Sequence, residues 1–167
     1  MDISDTGEFL TYFNKVHART MTAVQCIPPD RVDWTFREGK FSIGDLVRHI
    51  AAANRYIFVE TARGGPSRYA GCGKDLAATH EEIVRYAETM HQQCSELISS
   101  FAPGYWEEKC TTPDGASIRV WKWLRLMIEH EIHHRGQIYT YLALLEAPRP
   151  RLSGLTSEQV RERSVPA

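Results

Sequence analysis

Apolar residues recur at spacings of three and four in four stretches of the chain, each closed by a proline- or glycine-bearing break, a rhythm that predicts amphipathic helices. The first stretch carries Phe9, Phe13, Val16, Thr20, Val24 and Ile27, and stops at Pro28-Pro29, where proline lacks a donor and its ring clashes with the preceding turn. A helix from about Asp5 to Ile27 follows. The next begins at Phe41-Ser42-Ile43-Gly44-Asp45, with Ser42 as cap and Asp45 favouring the positive helix end. Its stripe is Ile43, Leu46, Val47, Ile50, Ala53 and Ile57, and it ends before Arg63-Gly64-Gly65-Pro66. The third places Ile83, Ala87, Met90, Cys94, Leu97 and Phe101 on one face and stops at Ala102-Pro103-Gly104. The fourth carries Val120, Leu124, Met127, Ile138, Leu142 and Leu145, and ends before Pro148.

The connections are less regular. Trp34 and Phe36 in the segment 28–41 suggest an ordered loop that tucks aromatics against the helices. Between Tyr105 and Ser117 the turn signal Pro113-Asp114-Gly115 sits in a polar segment, read as a loop rather than as strands. Thr156-Ser157-Glu158-Gln159 has the form of a capping box, which predicts a short terminal helix over 157–163. Four long stripes bury most simply against one another, so the expectation is an all-α, four-helix-bundle domain over residues 1–167. The connection before the third helix decides the topology, which the pattern leaves open.

Composition narrows the function classes. Among 167 residues, 20 Lys+Arg face 21 Asp+Glu, and no basic block is present, so neither a nucleic acid nor a polybasic membrane contact is expected as partner. No apolar run approaches the ~18 residues of a membrane span, and the acidic start Met1-Asp2-Ile3-Ser4-Asp5 lacks a leader pattern, which predicts a cytoplasmic protein. Cys26, Cys72, Cys94 and Cys110 form no Cys-x-x-Cys pair and read as free thiols, Cys94 as core filler and Cys72, between two glycines, as the reactive candidate.

The chemically loaded segment is Glu129-His130-Glu131-Ile132-His133-His134-Arg135-Gly136-Gln137. His130 and His134 are four apart, so their rings project from adjacent turns of one side and can share a metal ion. His133 is turned about 100° from His134 and reads as surface. His49 lies beside the apolar stripe of the second helix. Taken alone it reads more simply as a hydrogen-bonded stripe-edge residue, but with the pair it makes a three-imidazole set that leaves a coordination position open. His17 and His91, also at stripe edges, read as structural or solvent-facing, with a supporting role at the metal as the alternative, and His80 as surface. The segment also fits His-Glu-x-x-His, in which Glu131 is the general base of a zinc metalloprotease. Against that rival, no histidine follows His134, and Gln137 and Thr140 stand where a longer form of that motif needs glycine and histidine.

Ser42-Ile43-Gly44-Asp45-Leu46-Val47-Arg48-His49-Ile50, followed some eighty residues later by His130-Glu131-Ile132-His133-His134-Arg135-Gly136-Gln137-Ile138, resembles the DinB family of metal-dependent proteins. The resemblance implies an up-down-down-up bundle, homodimers, and a divalent ion, zinc or nickel, on His49, His130 and His134. Glu131, Arg135 and Gln137 are then the supporting residues, although Arg135 can instead pair with Glu131 and Gly136 can admit a neighbouring helix. The wider superfamily includes thiol-dependent S-transferases, which implies a low-molecular-weight thiol cosubstrate and a small-molecule electrophile in a detoxification reaction. The reading from a different class is a non-catalytic, stress-associated metal binder.

Overall fold

A computed structural model describes residues 5–151 and 154–165, so the acidic start and its bearing on a leader lie outside the described residues. The main helices are α1 (Thr6–Val24), α2 (Ile43–Ala53), α3 (His80–Ser99), α4 (Val120–Leu144) and α5 (Ser157–Arg163). Side-chain capping accounts for the starts of all but α4, whose cap position, Arg119, makes no such bond. Asp5 accepts from the Glu8 amide, and Ser42 and Asp45 close a capping box on α2. Thr79 with Glu82 does the same for α3, and Thr156 with Gln159 for α5.

The two core clusters fix the helix directions. Phe9, Phe13 and Val16 from the start of α1 pack with Trp121, Leu124 and Met127 from the start of α4, and with Cys94 and Ile98 from the end of α3. Met21 and Val24 from the end of α1 pack instead with Ile138 and Leu142 late in α4, and with Ile43 and Ile83 at the starts of α2 and α3. Helices α1 and α4 therefore run one way and α2 and α3 the other, which makes the four-helix bundle up-down-down-up.

Parallel neighbours α2 and α3 need a long crossover, residues 63–79. Its anchor is Arg48, fully buried, whose Nε donates to Cys72 O at 2.8 Å, Nη1 to Ala77 O at 2.7 Å and Nη2 to Asp45 Oδ1 at 2.6 Å. A buried guanidinium persists because each face of its fork has an acceptor.

Two local features depart from the helical reading. After Ala53 the chain widens into a π-helical turn, Asn54–Val59, and closes with a helical turn, Glu60–Ala62. Trp123 Nε1 donates to the Phe58 carbonyl at 3.0 Å, satisfying a group that a widened turn frees. The segment read as a polar loop forms a hairpin, β1 (Lys109–Thr111) antiparallel to β2 (Ser117–Arg119), with Cys110 opposite Ile118. Three residues per strand are too few to show alternation, so the turn was legible and the strands were not.

Gly44 lets the 28–41 loop reach α2. Its amide donates to Val32 O at 2.8 Å, and a Cβ there would meet that same oxygen at 2.7 Å. Gly44→Ala should cost about 1–3 kcal/mol in urea unfolding; an unchanged midpoint would show that the loop yields freely. No helix among the described residues is long and apolar enough to cross a membrane.

Candidate metal centre

The π-turn, the crossover and the middle of α4 meet at three imidazoles. His49 Nε2 lies 3.1 Å from His130 Nε2. One nitrogen each from His49, His130 and His134 lie within 4.8 Å of one another, the one such cluster of metal-ligating side chains among the described residues. The ring centroids of His134 are 4.7 Å from those of His49 and 4.4 Å from those of His130. All three side chains are half-buried, so the point they face is neither sealed nor fully wet.

Outer hydrogen bonds set which nitrogen of two of the rings faces that point. His49 Nδ1 is 2.8 Å from the Tyr69 hydroxyl, and His134 Nδ1 is 2.7 Å from Gln137 Oε1. An amide oxygen only accepts, so His134 carries its proton on Nδ1 and turns the Nε2 lone pair inward. With Tyr69 as acceptor His49 takes the same tautomer. Gln137 uses its amide nitrogen as well, on His133 Nε2 at 3.3 Å. His130 Nδ1 is buried with no partner among the described residues; its ring is held instead by Phe58, 5.3 Å away centroid to centroid.

Burial keeps the three rings neutral. Desolvation, with the neighbouring His134, holds His49 at about 4, and desolvation with the charges of the other histidines holds His130 at about 3. Desolvation lowers His134 too. Neutral imidazoles, two of them with the Nε2 lone pair turned inward, are the kind of donor set a zinc- or nickel-class ion takes.

The expected supporting residues divide. Gln137 touches His134 as described. Glu131 and Arg135 do not touch the rings: they turn about 100° away round α4, into the core. Glu131 is fully buried and accepts from Thr20 Oγ1 at 2.7 Å and from Asn54 Nδ2 at 2.8 Å. Arg135 donates to Val16 O at 3.2 Å and makes no ion pair with Glu131 among the described residues. The same contacts remove the metalloprotease reading, because a fully buried carboxylate whose two oxygens are taken by Thr20 and Asn54 is not free to act as base at an ion on these rings. Gly136 faces open space rather than a neighbouring helix.

Two residues that sequence reasoning passed over matter here. Tyr69 sits on the aperiodic crossover, which Arg48 anchors. Asn54 enters through the π-turn. His17 and His91 stack face to face, with centroids 3.7 Å apart and an interplanar angle of 4°, inside the core rather than at the metal site. His80, read as surface, is half-buried with Nε2 3.1 Å from Val24 O. His133 is exposed as expected. Cys94 is buried as expected, and Cys72 does not have a reactive environment, since burial raises its thiol even against the Tyr69 hydroxyl.

The core pair predicts acid lability. Burial holds His17 at about 4, and burial together with the His17 charge holds His91 at about 3. The 3.9 Å approach of His17 Nδ1 to Glu131 is therefore not an ion pair at neutral pH. An unfolded histidine takes its proton near 6.5, which the folded rings refuse, so stability present above 6.5 is lost as pH falls toward 4. The expected slope is on the order of 1 kcal/mol per pH unit for each ring. Thermal unfolding in chelator at pH 7, 6 and 5 measures it; a flat profile would mean both rings are wet.

Three comparisons bear on this geometry. The family model of the DinB superfamily matches residues 12–138. No curated protein matches the chain. Among solved structures, a DinB-like protein of Bacillus subtilis, YjoA, is 18% identical with a TM-score of 0.70 and covers 87% of this chain and 96% of its own. YfiT of Bacillus subtilis, described as a probable metal-dependent hydrolase with an unusual four-helix bundle topology, is 17% identical, with a TM-score of 0.66 over 87% of this chain and 90% of its own. A mycothiol-dependent maleylpyruvate isomerase is 12% identical with a TM-score of 0.63, over 80% of this chain and 60% of that longer one. At these identities the likeness is one of fold.

Proposed function

Because the chain belongs to the DinB superfamily, we propose that it is a metalloenzyme in which His49, His130 and His134 hold a divalent zinc- or nickel-class ion, and that it transfers a low-molecular-weight thiol to a small electrophile. The observation that carries the reading is the convergence of three neutral rings, two of them with their outer nitrogens tied to Tyr69 and Gln137. An ion bound there supplies a Lewis acid that keeps a thiol ionised at neutral pH.

The chain's own residues supply orientation and partial dryness. Tyr69 and Gln137 stop two of the rings from turning, so the lone pairs need no rearrangement on loading. Phe41, with its centroid 5.5 Å from His49, and Phe58, beside His130, shield the rings from bulk water on two sides. Three protein ligands leave room for a thiol or water, the arrangement of a working site rather than a structural one. The thiol dependence of the isomerase with the same fold supports the choice of cosubstrate.

The test is turnover of metal-loaded protein with glutathione, bacillithiol or mycothiol and 1-chloro-2,4-dinitrobenzene. The thiolate sulfur replaces chloride on the ring, forming the C–S bond and releasing HCl, and thiol is consumed one for one. Metal-dependent consumption with one thiol of the panel is the expected result. Stoichiometric metal with no consumption across the panel and several electrophiles would favour the non-catalytic, stress-associated binder.

A further inference from the structure

A groove of about 500 Å³ runs between the 34–41 loop and α4, next to the three imidazoles. Its walls are Phe36, Phe41, Leu46 and Tyr141, with Lys40 and Gln137 completing it. Continuity with the metal centre is direct: Phe41 packs beside His49 at 5.5 Å, and Gln137 holds His134 at 2.7 Å. The two phenylalanines are 54% and 43% exposed, an unusual cost for large rings unless they meet a ligand.

The chemistry left free in the groove selects the ligand. The Tyr141 hydroxyl is used on Phe41 O at 2.9 Å and the Thr140 hydroxyl on Gly136 O at 3.2 Å. Both ends of the Gln137 amide are engaged by His134 and His133. What remains is aromatic surface and one ammonium, Lys40, which makes no ion pair among the described residues. Phe36 and Tyr141 stand edge-on at 82° with centroids 5.7 Å apart, a corner into which a flat ring fits by stacking on one and meeting the edge of the other.

We propose that this groove is the electrophile pocket of the metal centre, and that its substrates combine a flat aromatic body with an acidic group, the ring lying against Phe36, Phe41 and Tyr141 and the acid paired with Lys40. The inference rests on the metal-centre reading for its catalytic meaning, but binding in the groove needs only the groove.

Calorimetric titration of zinc-loaded protein with 2-naphthoate, 2-naphthylmethanol and 2-naphthylmethylamine tests it. The acid should bind most tightly and the amine least. Lys40→Ala should weaken 2-naphthoate about fivefold, the scale of one exposed ion pair, and leave the alcohol unchanged. Phe41→Ala should weaken all three probes; circular dichroism checks that it folds, and Lys40→Ala, on an exposed loop, gives an independent readout. The titrations are repeated on His130→Ala, which separates the two readings: retained binding there supports the groove whatever becomes of the metal centre. Loss of 2-naphthoate binding in His130→Ala, with Lys40→Ala silent, would mean that the acid simply ligates the ion, and overturns the proposal. So would equal affinity for acid and amine, or absence of binding with a dimer in sedimentation that Phe36→Ala dissociates, which would assign the exposed rings to a second copy of the chain.

Discussion

Replacing His130 or His134 by alanine should take bound zinc or nickel from one ion per chain to none, with helical circular dichroism unchanged. The size of the effect follows from ligand count. Two nitrogens bonded to one ion at about 2.0–2.1 Å stand about 2.9–3.4 Å apart, and His49 Nε2 and His130 Nε2 are 3.1 Å apart. One pair of rings thus already stands at the separation an ion requires, with the third within 4.8 Å, and on the proposed reading removing one leaves a two-imidazole site that a competing buffer strips. Helicity should survive because the two core clusters hold all four long helices without help from these rings. His133→Ala should keep full stoichiometry, as its ring is exposed and only meets Gln137. Tyr69→Phe should retain the ion but weaken it about tenfold, since it removes the outer partner of His49 and no ligand. Elemental analysis after gel filtration measures the first three variants and a chelator competition the fourth. Equal losses in His133→Ala and His134→Ala would show that a different set of rings binds.

What the sequence showed of this site depended on whether the signal was local. His130 and His134 share a side because of their spacing on one helix, and that needs no knowledge of the fold. His49 needed a second helix and a stripe to measure against, and the motif resemblance sharpened it. Tyr69 had no comparable signal: the crossover has no period, and its place at His49 is set by Arg48, whose acceptors Cys72 O and Ala77 O lie 24 and 29 residues further on. The helices themselves were legible from their stripes and caps, while the π-turn at 54–59 was not, because widening arises where α2 must pass Trp123 on α4. The direction of Glu131 was not legible, because in His-Glu-x-x-His the acid always follows the first histidine, and only its distant partners Thr20 and Asn54 show that this one faces the core.

That direction makes Glu131 the site of the second large effect. Glu131→Ala should destabilise the metal-free protein by about 2–4 kcal/mol, whereas Glu131→Gln should be near neutral or stabilising. Burial raises the Glu131 carboxyl, and its hydrogen bonds from Thr20 and Asn54 pull it back only in part. Alanine removes both acceptors. The Asn54 amide, whose Oδ1 already lacks a partner among the described residues, then loses the contact of Nδ2 as well, and an unpaired buried amide costs about 1–3 kcal/mol. The void left between α1, α2 and α4 adds to this. Glutamine fits by a simple exchange. Its oxygen accepts from Asn54 Nδ2, and its nitrogen donates to Thr20 Oγ1, which keeps its own bond to Val16 O at 3.2 Å. No buried charge then remains to be desolvated. Urea unfolding in chelator distinguishes the two variants, and an alanine variant as stable as the glutamine one would mean that the Thr20–Glu131–Asn54 chain contributes nothing. Metal content gives the second readout: Glu131→Gln should bind a full equivalent and keep any thiol-transfer activity, the opposite of what a general base in a His-Glu-x-x-His protease would show, because this carboxyl faces the core and never meets the ion.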